Sequence, residues 1–149
     1  MPTRDEALLT LQLPDRPEAP SAARKALTSL NGSLHLISEP RLRDAQLVIS
    51  ELVANAVRHG GRTGQPILLT VRATPEVMRV EVSDDGQGFD EAPLAEAPDD
   101  RGGGWGLPIV AALAHRWGVD RDAATTVWFE IDRPQREEPV RLDPSPPQL

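Results

Sequence analysis

The chain of 149 residues carries 23 acidic and 16 basic side chains, a formal net charge of −7, and no cysteine. The charge balance argues against a general nucleic-acid binder, which needs a basic surface, and the cysteine count excludes disulfides, thiolate metal sites and cysteine nucleophiles. The length suits one domain with a sizeable core plus tails.

No apolar run approaches a membrane span, and no basic start precedes an apolar core at the N-terminus. The expected location is cytoplasmic, with neither a membrane nor direct nucleic-acid contact. Lys25 is the sole lysine. With abundant Ala and Pro, that is a compositional hint of a high-GC bacterial genome.

After a short N-terminal tail (1–7), Leu8 to Leu13 alternate, with Leu9, Leu11 and Leu13 on one side and Thr10 and Gln12 on the other. That is a half-buried strand. Pro14, Pro17 and Pro20 predict a loop, after which Ser21 can cap a helix carrying Ala23, Leu27, Leu30 and Leu34 at helical spacing. Pro40 fits the first turn of a second helix, which runs to about His59 and stops at Gly60-Gly61. Ile67 to Ala73 and Val77 to Ser83 read as an antiparallel hairpin turning at Thr74-Pro75-Glu76.

From Asp84 to Gly106 periodicity disappears, and a loop of this length in a compact domain is functional or disordered. A third helix follows, with Leu107, Val110, Ala111, Ala114 and Trp117 on one side and Gly118 as its stop. Thr125 to Ile131 is a late strand, and the Pro-rich stretch 133–149 reads as a disordered tail. Helices and strands that do not strictly alternate predict an α+β domain, with helices packed on one face of a mixed sheet.

Three motifs carry chemistry. In the second helix Ala45, Ile49, Leu52, Val53 and Ala56 form an apolar stripe, while Glu51 and Asn55 share another face one turn apart. Leu47 and Val48 lie on that face too, so it is not plainly a solvent face, and burying such polar groups without partners costs several kcal/mol. The amide oxygen of Asn55 can ligate Mg²⁺, and the Glu51 carboxylate can accept a proton. The plainer reading is a pair of polar residues that meet water or cap a neighbour.

The second motif, Ser83-Asp84-Asp85-Gly86-Gln87-Gly88-Phe89, follows a strand directly. Asp84 can accept a hydrogen bond from a purine amine, while Gly86 and Gly88 allow close backbone approach; an ordinary turn has the same composition. The third, Gly102-Gly103-Gly104-Trp105-Gly106-Leu107, opens a helix whose backbone N–H groups suit phosphate, or is a flexible linker. It is neither a P-loop nor a dinucleotide fingerprint, because the lysine and the glycine spacing are missing.

In this order the motifs resemble the N box and the two glycine boxes of the GHKL (HATPase_c-like) ATPases, which include gyrase, histidine kinases and MutL. The likeness is closer to stand-alone anti-sigma factor serine/threonine kinases. It rests on Glu51-Leu52-Val53-x-Asn55-Ala56-Val57-x-His59, Gly104-Trp105-Gly106-Leu107-Pro108-Ile109-Val110 and Thr126-Val127-Trp128-Phe129-Glu130, and it spans residues 8–132.

The resemblance implies a Bergerat fold: a two-layer α/β sandwich with a mixed, mostly antiparallel sheet. It implies ATP and Mg²⁺ as cofactors. Asn55 would bind the metal and Glu51 would be the catalytic base. Asp84 would take the adenine amine, with Gly86 and Gly88 forming the pocket floor. Gly104, Gly106 and Leu107 would meet phosphate, Thr126 would line the adenine pocket, and 91–103 would form the lid. Asp85 and Ala124 depart from the family's usual Asn and Gly, and Asp99 and Asp100 place extra negative charge in the lid.

The implied function is an anti-sigma regulatory factor that phosphorylates a STAS-type antagonist on Ser or Thr and sequesters a sigma factor, as a homodimer. The alternative is a nucleotide-dependent binding module with little or no turnover. A histidine kinase reading lacks a phosphoacceptor helix pair in this chain. His35 and His115 read as surface or packing residues, His59 as a helix-end cation, and Trp117 and Trp128 as core or interface residues.

Overall fold

The computed structural model describes residues 7–59, 65–84, 106–121 and 124–133. In chain order these form β1 (Leu9–Leu13), α1 (Ala19–Leu34), α2 (Glu39–His59), β2 (Ile67–Ala73), β3 (Val77–Asp84), α3 (Gly106–Leu113), β4 (Arg116–Arg121) and β5 (Thr125–Asp132). The strands make one sheet in the order β1-β2-β3-β5-β4. Every pairing is antiparallel, so the α+β architecture holds and the expected mixture of directions resolves to one.

Alternation decides which side of the sheet is buried. Leu13, Ile67, Leu69, Val71, Met78, Val80, Val82, Val127, Phe129 and Ile131 all lie in the core. Over them lie the helices: α1 contacts β1, α2 contacts β2, β3 and β5, and α3 contacts β4. The helical share of this core comes from Ala23 and Leu27 of α1 and from Ala45, Val48, Ile49, Leu52, Val53 and Ala56 of α2. Each fully buried aliphatic side chain contributes about 1.5–3 kcal/mol, so the stripe predicted on α2 is what fixes that helix to the sheet.

The start of α1 differs from expectation. The helix begins at Ala19, with Pro20 in its first turn and no side-chain bond from the cap position Glu18. A proline costs nothing there because its missing N–H would have no helical partner. Ser21 is therefore inside the helix, and its capping role falls away. The other end is defined by His35, which adopts the left-handed conformation (φ 49°) while its N–H donates to the Asn31 carbonyl at 2.8 Å.

Asn31, only 5% exposed, then closes the turn to α2. Its Oδ1 accepts from the Ile37 N–H at 2.9 Å and its Nδ2 donates to the Ile37 carbonyl at 3.1 Å. One side chain thus satisfies both backbone groups of a buried residue, as a neighbouring strand would.

The third helix is shorter than its spacing predicts. It ends at Leu113, and Trp117 and Gly118 belong to the edge strand β4. Trp117 and Val119 pack against the core as alternate residues of that strand. Gly118 is not a helix stop but the seat of an indole: a Cβ added there would lie 2.6 Å from Cζ2 of Trp128. The two residues pair directly across β4 and β5.

On the sheet face away from the helices, the Arg79 guanidinium sits 4.1 Å from the Trp128 ring centroid. Its Nε donates to Glu81 at 3.0 Å, and Glu130 lies at 3.5 Å. Arg116 donates to Glu130 at 2.8 Å and also bonds Asp132. Arg133, assigned by sequence to the tail, is bound instead: Nε donates to the Leu36 carbonyl at 2.8 Å and Nη1 to the Thr74 carbonyl at 2.7 Å.

Candidate functional site

The candidate site is built around α2. This helix packs against both β3 and α3, so the helix carrying Glu51 and Asn55 adjoins the strand that ends in Asp84 and the helix that opens at Gly106. The cause is sequence-local: the stripe Ala45, Ile49, Leu52, Val53 and Ala56 is buried along its whole length and sets the rotation of α2. That rotation leaves Asn55 8% exposed and Glu51 half-buried. The turn above them divides, with Val48 in the core and Leu47 54% exposed.

Asp84 ends β3 in phase with Met78, Val80 and Val82, so its side chain emerges on the helix side, 7% exposed. A carboxylate at this position accepts hydrogen bonds but donates none. Gly106 and Leu107 form the first turn of α3. The opening N–H groups of a helix have no partner within it and carry the positive end of its dipole. Gly86, Gly88 and Gly104, and the segment 91–103, lie outside the described residues.

Thr126 is placed differently from its expected role. Thr125 pairs with Asp84, and Thr126 with Ser83. Thr125 is 5% exposed on the helix side, whereas the Thr126 hydroxyl is 2.7 Å from the Ser83 hydroxyl on the opposite side of the sheet. On the side of the sheet that carries Asp84, the residue in register is therefore Thr125, and Thr126 faces the other way. The signal was available in the sequence: the alternation of Val127, Phe129 and Ile131 extends back to Thr125, not to Thr126.

The donor set fits a magnesium nucleotide. Asn55 offers a buried amide, Asp84 a buried acceptor, and α3 an N-terminus. Among the described residues no group of three His, Asp or Glu side chains is arranged to hold a metal. Mg²⁺ is commonly held by one or two carboxylates plus phosphate oxygens, so few protein ligands are needed, and the Asn55 amide could be one. No buried side-chain nitrogen or oxygen among the described residues lacks a hydrogen bond.

Comparison with known proteins shows the family and the fold. The model of the histidine kinase-like ATPase domain matches residues 13–131, and the chain belongs to that family. Comparison with curated proteins gives no match.

Among solved structures, the chain is similar to the crystal structure of RsbU and RsbW domains from Mycobacterium tuberculosis. There the TM-score is 0.64 at 24% identity, over 86% of this chain and 33% of that one. It thus spans about a third of that protein's crystallised length. The SiaB–SiaC complex from Pseudomonas aeruginosa gives a TM-score of 0.62 at 16% identity, covering 87% of this chain and 92% of that one. A blue-light activated histidine kinase domain from Erythrobacter litoralis gives 0.54 at 23%, covering 76% and 58%. At these identities the likeness establishes the fold.

Proposed function

We propose that the chain binds ATP with Mg²⁺ and acts as an anti-sigma regulatory kinase, phosphorylating a Ser or Thr of a STAS-type antagonist and sequestering a sigma factor as a homodimer in the cytoplasm. One observation carries the reading: α2, bearing Glu51 and buried Asn55, packs at once on the strand ending in Asp84 and on the helix opening at Gly106. Membership of the histidine kinase-like ATPase family supports the nucleotide. Among the described residues no helix is long and apolar enough to cross a membrane.

Each residue then has a task. The Asn55 amide oxygen holds the metal. Asp84 accepts from the adenine amine, and Thr125 stands beside it. The N-terminal amides of α3, from Gly106 and Leu107, face phosphate; the family resemblance would add Gly104 to that contact and assign Gly86 and Gly88 to adenine. Bound nucleotide supplies the γ-phosphoryl group, whose bond to the bridging oxygen breaks as a new bond forms to the acceptor hydroxyl, leaving ADP. Glu51 takes the hydroxyl proton.

Incubating the protein with Mg-ATP and a co-purifying antagonist, then mapping phosphosites, tests this. Phosphoserine or phosphothreonine is expected with the native chain and not with Glu51→Ala. No phosphorylation, combined with nucleotide-dependent partner binding that survives Glu51→Ala, would support instead a module that uses nucleotide only to choose partners.

A further inference from the structure

We infer that Ser83 and Thr126 are positioning residues that set the base selectivity of the nucleotide site from the far side of the sheet. This rests on the reading of Asp84 as the adenine acceptor. Ser83 and Thr126 occupy directly opposed positions on β3 and β5, and their hydroxyl oxygens lie 2.7 Å apart, one donating and the other accepting. The next rung of the same ladder is Asp84 opposite Thr125. Among the described residues it is also the last rung, with β3 described to Asp84 and β5 from Thr125.

The end of a ladder is where strands open first, and here Thr125 is held on its other side by Arg121 of β4 while Asp84 pairs across to Thr125. Here the terminal pair is the one whose side chains face the helices, 7% and 5% exposed. The penultimate pair is tied on the opposite face by a hydroxyl–hydroxyl bond. That tie fixes the β3–β5 separation one residue before the carboxylate. It thereby holds Asp84 at a set distance from Thr125 without touching anything bound between them.

The chemistry of the base makes this a selectivity device. Adenine presents an amine that donates to a carboxylate, while guanine presents a carbonyl at the same ring position, which a carboxylate repels. Discrimination therefore needs a carboxylate that cannot swing away. A frayed last rung would let Asp84 relax, and the penalty against guanine would fall along with the bond to adenine.

The test is a comparison of ATP and GTP affinities by calorimetry, alongside thermal unfolding, for the native chain, Ser83→Ala, Thr126→Val, the double variant and Thr126→Ser. Each single removal is expected to weaken ATP by about two- to fivefold, the range of a cross-strand hydroxyl pair. GTP should weaken less, so that the ATP/GTP ratio narrows. The double variant should lose no more than either single one, and Thr126→Ser should keep the native ratio. An unchanged ratio, or equal losses for both nucleotides that track the melting temperature, would overturn the inference. A native chain that does not discriminate, or an Asp84→Asn variant with the native ratio, would overturn the Asp84 reading itself and this inference with it.

Discussion

Trp128 lies over Gly118 so closely that the indole occupies the space a side chain would need: an added Cβ would meet Cζ2 at 2.6 Å and Cε2 at 2.8 Å. The ring is also held by Arg79, 4.1 Å from its centroid. Gly118→Ala must therefore displace a held ring, and a loss of about 1–3 kcal/mol is expected. Urea unfolding checks this, and the double variant Gly118→Ala with Trp128→Val should recover most of the loss.

Asn31 makes a prediction about the α1–α2 turn. Its amide serves both the N–H and the carbonyl of Ile37, itself 6% exposed. Asn31→Leu removes both bonds and leaves two backbone groups with little access to water. A destabilisation of about 2–4 kcal/mol is expected, with a lower urea midpoint as the readout. Asn31→Asp should recover part of it, since the Ile37 N–H keeps its acceptor.

Asn55→Ala addresses the metal. The amide is proposed to hold Mg²⁺ rather than to support the core, so the variant should melt near the native temperature. Its ATP affinity in Mg²⁺ should fall at least about tenfold, equivalent to about 1.4 kcal/mol. Affinity in EDTA should change little. Equal losses with and without the metal would count against Asn55 as its ligand.

The pair Arg116–Asp132 predicts an acid-side effect. The hydrogen bond from Arg116 lowers the Asp132 pKa below the ordinary carboxylate value, outweighing partial desolvation, with the charges of Arg116 and His115 adding to it. A carboxylate whose folded pKa is depressed stabilises the fold above its unfolded pKa of about 3.9 and loses that contribution as the pH falls through the folded value. Asp132→Asn should therefore lower the melting temperature slightly at pH 7, and the difference should shrink as the pH falls below about 4. The effect is small because the two side chains are 46% and 48% exposed.

Most of the sheet and both long helices were legible because their burial follows a simple period. Met78, Val80 and Val82 announce β3, and Ala45, Ile49, Leu52, Val53 and Ala56 announce the buried side of α2. The edge strand β4 was not legible. Trp117 stands at helical spacing from Val110 and Ala114, and Gly118 resembles a helix stop; only the pairing with Trp128 across β5 shows why that glycine is there. Ser21 misled because a proline is tolerated in a first helical turn as readily as in a loop. In the candidate site, Glu51 and Asn55 stood out as polar groups on a mostly apolar helix, and Asp84 as the acid of a glycine motif directly after a strand. Which of Thr125 and Thr126 opposes Asp84 is not encoded by a motif match, but the alternation of Val127, Phe129 and Ile131 carries it.

Arg133 fastens the chain just beyond β5 to Leu36 and Thr74, at the end of the strand remote from Thr125. Seven residue steps at strand rise put those ends about 23 Å apart. An affinity handle or fluorophore attached beyond Arg133 would thus start from a clamped point, at the end of β5 opposite Asp84 and Thr125. The molecule can be anchored to a sensor surface there with the proposed nucleotide end facing solution.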